Sequence, residues 1–216
     1  MFSLDYPLLR TSTAEQFPVR RVYCVGRNYA DHAREMGADP EREPPFFFSK
    51  PADAVTQAAK VRFPPLTTNL QHEVELVIAL GEDASIFGYA VGVDLTRRDL
   101  QAEAKLHSRP WDMSKGFDQS APISTIIPCA NSFDQMEISL CVNGEQRQHG
   151  STAQMIWSVE EILEQLGNYT ELKPGDLIFS GTPAGVSKLE CGDVVDISLG
   201  RDLQHRFTLI TNSREA

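Results

Sequence analysis

The stretch HEVELVIAL, residues 72–80, constrains the fold more than any other part of the chain. Its run of β-branched and other apolar residues reads as a strand, and side chains on a strand alternate between faces. Glu73 and Glu75 therefore share one face, while Val74, Leu76 and Ile78 occupy the other and can join a core. Two ionised carboxylates this close repel, so their face must meet either water or a cation. From E-x-E alone a solvated face is the simpler reading, and oxygen ligation of a divalent ion is the sharper one. Asp94 adds a third carboxylate only if the next strand, begun in YAVGVD, runs beside the first. An all-oxygen donor set would then suit Mg or Mn better than a thiophilic metal. Asp94 equally reads as the cap of the helix expected in LTRRDLQAEAKL, because it stands at a strand-to-helix transition.

The flanking segments extend this pattern. RVYCV reads as a strand stopping at Gly26, before a helical ADHAREMG that Gly37 would end. EPPFFFSKPADAV reads as an extended strand and turn between prolines, and MEISLCVNGEQRQHG as a hairpin through Asn143-Gly144. SVEEILEQLG carries a capping box, Ser158 with Glu161, and Gly167 at its end. KPGDLIFSGTPAGV and GDVVDISL return to strands, so the class is α+β, predominantly β. A chain of 216 residues accommodates one catalytic domain, residues 18–216, behind an N-terminal extension, 1–17.

The formal net charge of -10 gives no support to a nucleic-acid-binding surface. No apolar run is long enough for a bilayer, and MFSLDYPLLR lacks the order of a secretion signal, so a cytoplasmic protein without a membrane partner is expected. Cys24, Cys129, Cys141 and Cys191 are scattered without metal or redox spacing and receive no catalytic role.

His32 and Glu35 stand i to i+3, a spacing that allows either a base with its orienting carboxylate or a plain surface pair. Arg98 and Gln101 fall near one helical face; with Lys50 and Lys115 they could hold anionic oxygens or serve as ordinary surface polarity. Gly181, Thr182 and Gly185 permit a close polar turn, but the P-loop lysine is missing. His72, His107, His149 and His205 form no H-x-x-x-H motif, and Phe46, Phe47, Phe48, Trp111 and Trp157 read as packing residues.

Taken in order, YCVGRNYADHAREMG, PPFFFSKPADAV, HEVELVIAL, YAVGVDLTRRDLQ, KGFDQSAP and LIFSGTPAGV resemble the fumarylacetoacetate hydrolase family, and especially its small fumarylpyruvate-hydrolase-like (acylpyruvase) members. The resemblance runs over roughly residues 18 to 199. It implies a mixed β-roll of that family's C-terminal-domain type, a homodimer and a Mg or Mn site. It further implies Glu73, Glu75 and Asp94 as metal ligands, and His32 with Glu35 as a catalytic dyad on a closing lid. Lys115 would be catalytic beside the metal, with Lys50, Arg98, Gln101 and Thr182 binding substrate. The implied reaction is hydrolysis of a carbon–carbon bond in a 2,4-dioxo acid, with fumarylpyruvate giving fumarate and pyruvate in aromatic catabolism. Oxaloacetate decarboxylation, 2-oxo diacid tautomerisation and a catalytically silent metal-binding dimer stand beside it. One departure is visible: family members usually carry a longer insertion where this chain has only ASIFG before Tyr89, which would alter the pocket edge, pairing or lid.

Overall fold

The computed structural model describes residues 6–35, 43–128, 133 and 135–211. Gly37 and Cys129 fall outside these residues.

The centre is a six-stranded mixed sheet in the order Ile127–Pro128, Ile86–Val93, Val74–Leu80, Asp176–Phe179, Arg21–Gly26, Phe46–Lys50. The Asp176–Phe179 strand runs parallel to Arg21–Gly26 and antiparallel to Val74–Leu80. A second, five-stranded sheet is ordered Glu145–Ser151, Glu137–Val142, Val194–Leu199, Leu203–Ile210, Lys60–Arg62. Leu76, Ile78, Val91 and Val93 of the first sheet share one core with Ile138, Leu140, Val195, Ile197 and Phe207 of the second. This is the predominantly β, mixed-sheet architecture expected.

The opposite face of the central sheet is covered too. Val77, Ala79, Ala90 and Phe179 pack with Leu9 and Phe17, from a hairpin of Leu8–Arg10 and Gln16–Pro18, and with Ile123 and Ile126. Hence every residue of Val74–Leu80 is buried. The solvated reading of Glu73 and Glu75 is thereby corrected: they are 6% and 2% exposed, because segments remote in sequence close the face they point to.

The turn at Glu82–Ala84 joins Val74–Leu80 directly to Ile86–Val93, with Glu75 opposite Gly92 and Val74 opposite Val93. One step further, the Asp94 N–H donates to the Glu73 carbonyl at 2.8 Å, so the short connection still brings the third carboxylate beside the first two. Asp94 caps no helix. Thr96–Arg97 first pairs with Leu70–Gln71, and the helix Arg98–Leu106 begins after Arg97 without a side-chain cap. The expected hairpin turns at Asn143 and Gly144, whose φ values of 53° and 81° match a two-residue turn that needs left-handed backbone at both positions. Ser158 and Glu161 form both bonds of the capping box on Val159–Gly167; Gly167 is the last helical residue, not a left-handed cap.

Candidate metal centre and active site

Glu73, Glu75 and Asp94 each offer a carboxylate oxygen, and these oxygens lie within 4.8 Å of one another in a buried cluster. Three anions in so small a volume are unstable without cations. Two lysines and an arginine supply part of the compensation. Lys115 Nζ donates to Glu73 Oε2 at 2.7 Å and to Asp94 Oδ2 at 2.6 Å. Lys50 Nζ lies 2.8 Å from Asp94 Oδ1. Arg98 donates to Glu73 Oε1 and, at 2.6 Å, to Gln101 Oε1.

The charges divide the triad. Burial opposes ionisation of Glu73, but Lys115 and Arg98 outweigh it and hold this carboxyl well below the usual range. Burial also opposes the charge on Lys115, and Asp94 and Glu73 more than restore it. Glu75 is the exception: burial and the charges of Asp94 and Glu73 push it well above the ordinary range, opposed mainly by a 2.7 Å bond from the Gly181 N–H. A buried carboxyl with too few cations, within ligand distance of two others, fits a hard divalent ion held by oxygen.

The triad opens into a cavity of about 340 Å³ lined by Glu73, Glu75, Arg98, Lys115, His32 and Thr182, together with Arg27, Phe46, Phe48, Lys105 and Trp111. His32 rides on the short helix Ala30–Glu35 and is 6% exposed. Its Nδ1 is 3.3 Å from Glu35 Oε2, and the Glu35 carboxylate accepts from the Gly185 N–H at 3.2 Å. Burial lowers the His32 pKa below 6.5, with Glu73 and Glu35 pulling the other way.

Two of the residues expected to bind substrate sit beside the triad's supports. Lys50 and Gln101 are buried and do not line the cavity. Lys50 stands behind Asp94, bonded also to the carbonyls of Leu95 and Lys115, and Gln101 braces Arg98. A buried lysine is held by its nearest carboxylate, which explains the placement.

The family model described as fumarylacetoacetate (FAA) hydrolase C-terminal matches residues 21–210. The chain belongs to this family. A fumarylpyruvate hydrolase from Pseudomonas aeruginosa, solved in complex with Mn2+ and pyruvate, is 43% identical with a TM-score of 0.94 over 98% of this chain and 99% of that one. Such mutual coverage leaves little room for an insertion, so the short connection before Tyr89 is no departure from that relative. The oxaloacetate tautomerase YcgM of Escherichia coli is 38% identical, covering 84% of this chain and 89% of its own. A mitochondrial oxaloacetate decarboxylase of Dictyostelium discoideum is 35% identical over 90% and 96%. Family members act on oxo acids, and this chain carries an acidic triad able to hold a metal.

Several residues in and behind this cavity escaped the sequence reading. Phe46, Phe48 and Trp111, read as packing, are cavity wall. Lys105 follows Arg98 by seven residues, a spacing that signals one helical face. His72 is fully buried, with Nδ1 2.8 Å from Gln148 Oε1 and Nε2 2.8 Å from Ser187 Oγ. Gln148 Nε2 in turn donates to Thr182 Oγ1 and the Pro183 carbonyl, both at 2.8 Å. Thr182 Oγ1 accepts this bond and donates only a long 3.5 Å contact to the Pro183 carbonyl, so its proton can turn to an oxygen in the cavity.

Asn28 fastens the start of the His32 segment. Its Nδ2 donates to the Ser180 and Trp157 carbonyls at 2.8 and 3.0 Å, and its Oδ1 accepts from the Trp157 N–H at 2.8 Å. Replacing the fully buried Asn28 with Ala strips three hydrogen bonds at once and is expected to cost about 3 kcal/mol in a urea titration. A loss under roughly 0.5 kcal/mol, the level of an ordinary surface change, would remove this role from Asn28.

Proposed function

We propose that the protein hydrolyses a carbon–carbon bond of an acylpyruvate, with fumarylpyruvate as substrate and fumarate and pyruvate as products. His32 carries this reading: a base neutral near pH 7, oriented by Glu35, faces the same cavity as the acidic triad. The relative solved with Mn2+ and pyruvate supports it.

Glu73, Glu75 and Asp94 would hold a Mg or Mn ion, which when bound supplies a Lewis acid for the 2-oxo acid end of the substrate. His32 donates Nδ1–H to Glu35, leaving Nε2 to take a proton from water. The water oxygen adds to the more distant carbonyl, the carbon–carbon bond breaks, and its electron pair leaves with the pyruvate half as an enolate. Protonation of that carbon from His32 completes pyruvate and restores the base. Lys115 opposes the developing negative charge, and the Thr182 hydroxyl donates to a substrate oxygen. Lys50, Arg98 and Gln101 hold the triad and its counter-charges in place. A homodimer of this catalytic domain, residues 18–216 with the extension 1–17, belongs to the proposal, and light scattering at twice the chain mass checks it.

The deciding experiment supplies fumarylpyruvate to purified protein with Mn present and with Mn chelated. Equal, chelator-sensitive release of fumarate and pyruvate supports the hydrolase. The tautomerase and decarboxylase relatives favour a second reading, in which oxaloacetate is the substrate. Inert fumarylpyruvate together with carbon dioxide release or enol–keto conversion of oxaloacetate would replace the first reading with the second.

The pH profile has a definite sign. His32 must be unprotonated to act, and burial lowers its pKa below 6.5. The kcat/KM profile should therefore be flat above pH 6.5 and fall tenfold per unit below a midpoint under that value. An acid limb centred above pH 7 would disqualify His32 as the base.

A further inference from the structure

The cations around the cavity fall into two sets. Lys50, Lys115 and Arg98 are each committed to a carboxylate of the triad. Arg27 and Lys105 also line the cavity, yet among the described residues neither is paired with a carboxylate. They rest instead on aromatic faces. The Arg27 guanidinium lies 5.3 Å from the Phe46 ring centroid and the Lys105 ammonium 5.1 Å from the Trp111 ring. These two rings meet edge to face at 5.5 Å, so both cations border one aromatic pair.

A cation on a ring face is held more weakly than one bonded to a carboxylate, and would exchange the first contact for the second. Arg27 has φ of 60°, a left-handed conformation uncommon outside glycine, which turns it out of the strand Arg21–Gly26 at the cavity. Burial and then the charges of Arg98 and Arg27 lower the pKa of Lys105, against an opposing pull from Glu73. On a chain of net charge -10, such a concentration of positive charge at a cavity selects small anions.

We propose that Arg27 and Lys105 form a second anion-recognition site that binds the far carboxylate of a dicarboxylate substrate whose 2-oxo acid end lies at the triad. This rests on the reading of the triad as a 2-oxo acid site. It makes the two residues determinants of specificity: 2-oxo diacids are selected over mono-acids sharing the same 2-oxo end, while Phe46 and Trp111 flank the chain between.

Binding of unreactive ligands tests this without turnover. Mn-loaded protein is titrated with pyruvate, which offers only the 2-oxo acid end, and with 2-oxoglutarate, which adds a distal carboxylate, following the Mn2+ resonance signal. The wild type should bind 2-oxoglutarate at least tenfold more tightly than pyruvate. The Arg27→Met, Lys105→Met double variant should lose that preference while its pyruvate affinity stays within about twofold, and Arg27→Lys with Lys105→Arg should restore most of it. An unchanged preference in the double variant, or equal weakening of both ligands, overturns the rim site alone. If neither ligand perturbs the wild-type signal, the 2-oxo acid reading falls and the rim site falls with it.

Discussion

Glu75→Gln is expected to abolish metal-dependent turnover, by roughly a thousandfold or more, while making the metal-free protein more stable than the wild type. The two effects have one cause. Burial and the neighbouring charges of Asp94 and Glu73 raise the Glu75 pKa, so without a divalent ion this carboxyl is a liability to the fold. The amide keeps an oxygen to accept the Gly181 N–H and removes the charge. The sign with pH follows from linkage. The unfolded chain releases the Glu75 proton near pH 4.5, whereas the folded chain holds it to a higher pH, so metal-free wild type loses stability as pH rises through that window. The variant does not, and its advantage should grow upward from pH 4.5. With Mn the order reverses, because only the wild type gains stability from tight binding. Melting scans at several pH values with and without Mn, with a calorimetric Mn titration, read all of this. Mn affinity in the variant within twofold of wild type would remove Glu75 from the ligand set.

The same residue shows where sequence reading stops. Period two places Glu73 and Glu75 on one face, and the short connection to Ile86–Val93 made adjacency with Asp94 foreseeable. Their burial was not legible, since the groups that close over them, Arg98 and Lys115 on Glu73 and Gly181 on Glu75, come from segments remote from the strand. Lys50 marks the same boundary: its position in the strand Phe46–Lys50 was readable, but its pairing with Asp94 depends on how the strands pack. Asn28 and Gln148 were invisible because a neutral amide has no pattern, and their partners lie as far as 152 and 76 residues away. Asp94 looked like a cap because helix and site draw on the same residue types; Lys50 and Lys115 claim its carboxylate instead. Arg27 carried a signal in charge alone and Lys105 in helical spacing, but only the structure shows that, among the described residues, neither is paired with a carboxylate.

His32→Gln separates the chemistries that a metal-held 2-oxo acid permits. Hydrolysis needs a base for water, so fumarylpyruvate cleavage should fall by about a hundred- to ten-thousandfold while Mn affinity stays near wild type. Decarboxylation of oxaloacetate breaks the bond to the carboxylate β to the polarised carbonyl, passing its electron pair into an enolate without water attack, so an enzyme of that class should lose much less. Tautomerisation moves a proton between carbon and oxygen, so there the loss should appear in enol–keto conversion instead. Glu35→Gln refines the assignment. Glu35 raises the His32 pKa through its hydrogen bond and charge, so removing that charge should shift the acid limb of kcat/KM further below pH 6.5. The amide oxygen can still accept from Gly185, so the helix should stay seated and kcat should fall less than in the histidine variant. Full fumarylpyruvate turnover by His32→Gln would reject water activation by this residue. Loss of turnover with an unmoved limb in Glu35→Gln would leave His32 necessary but assign the titration to another group.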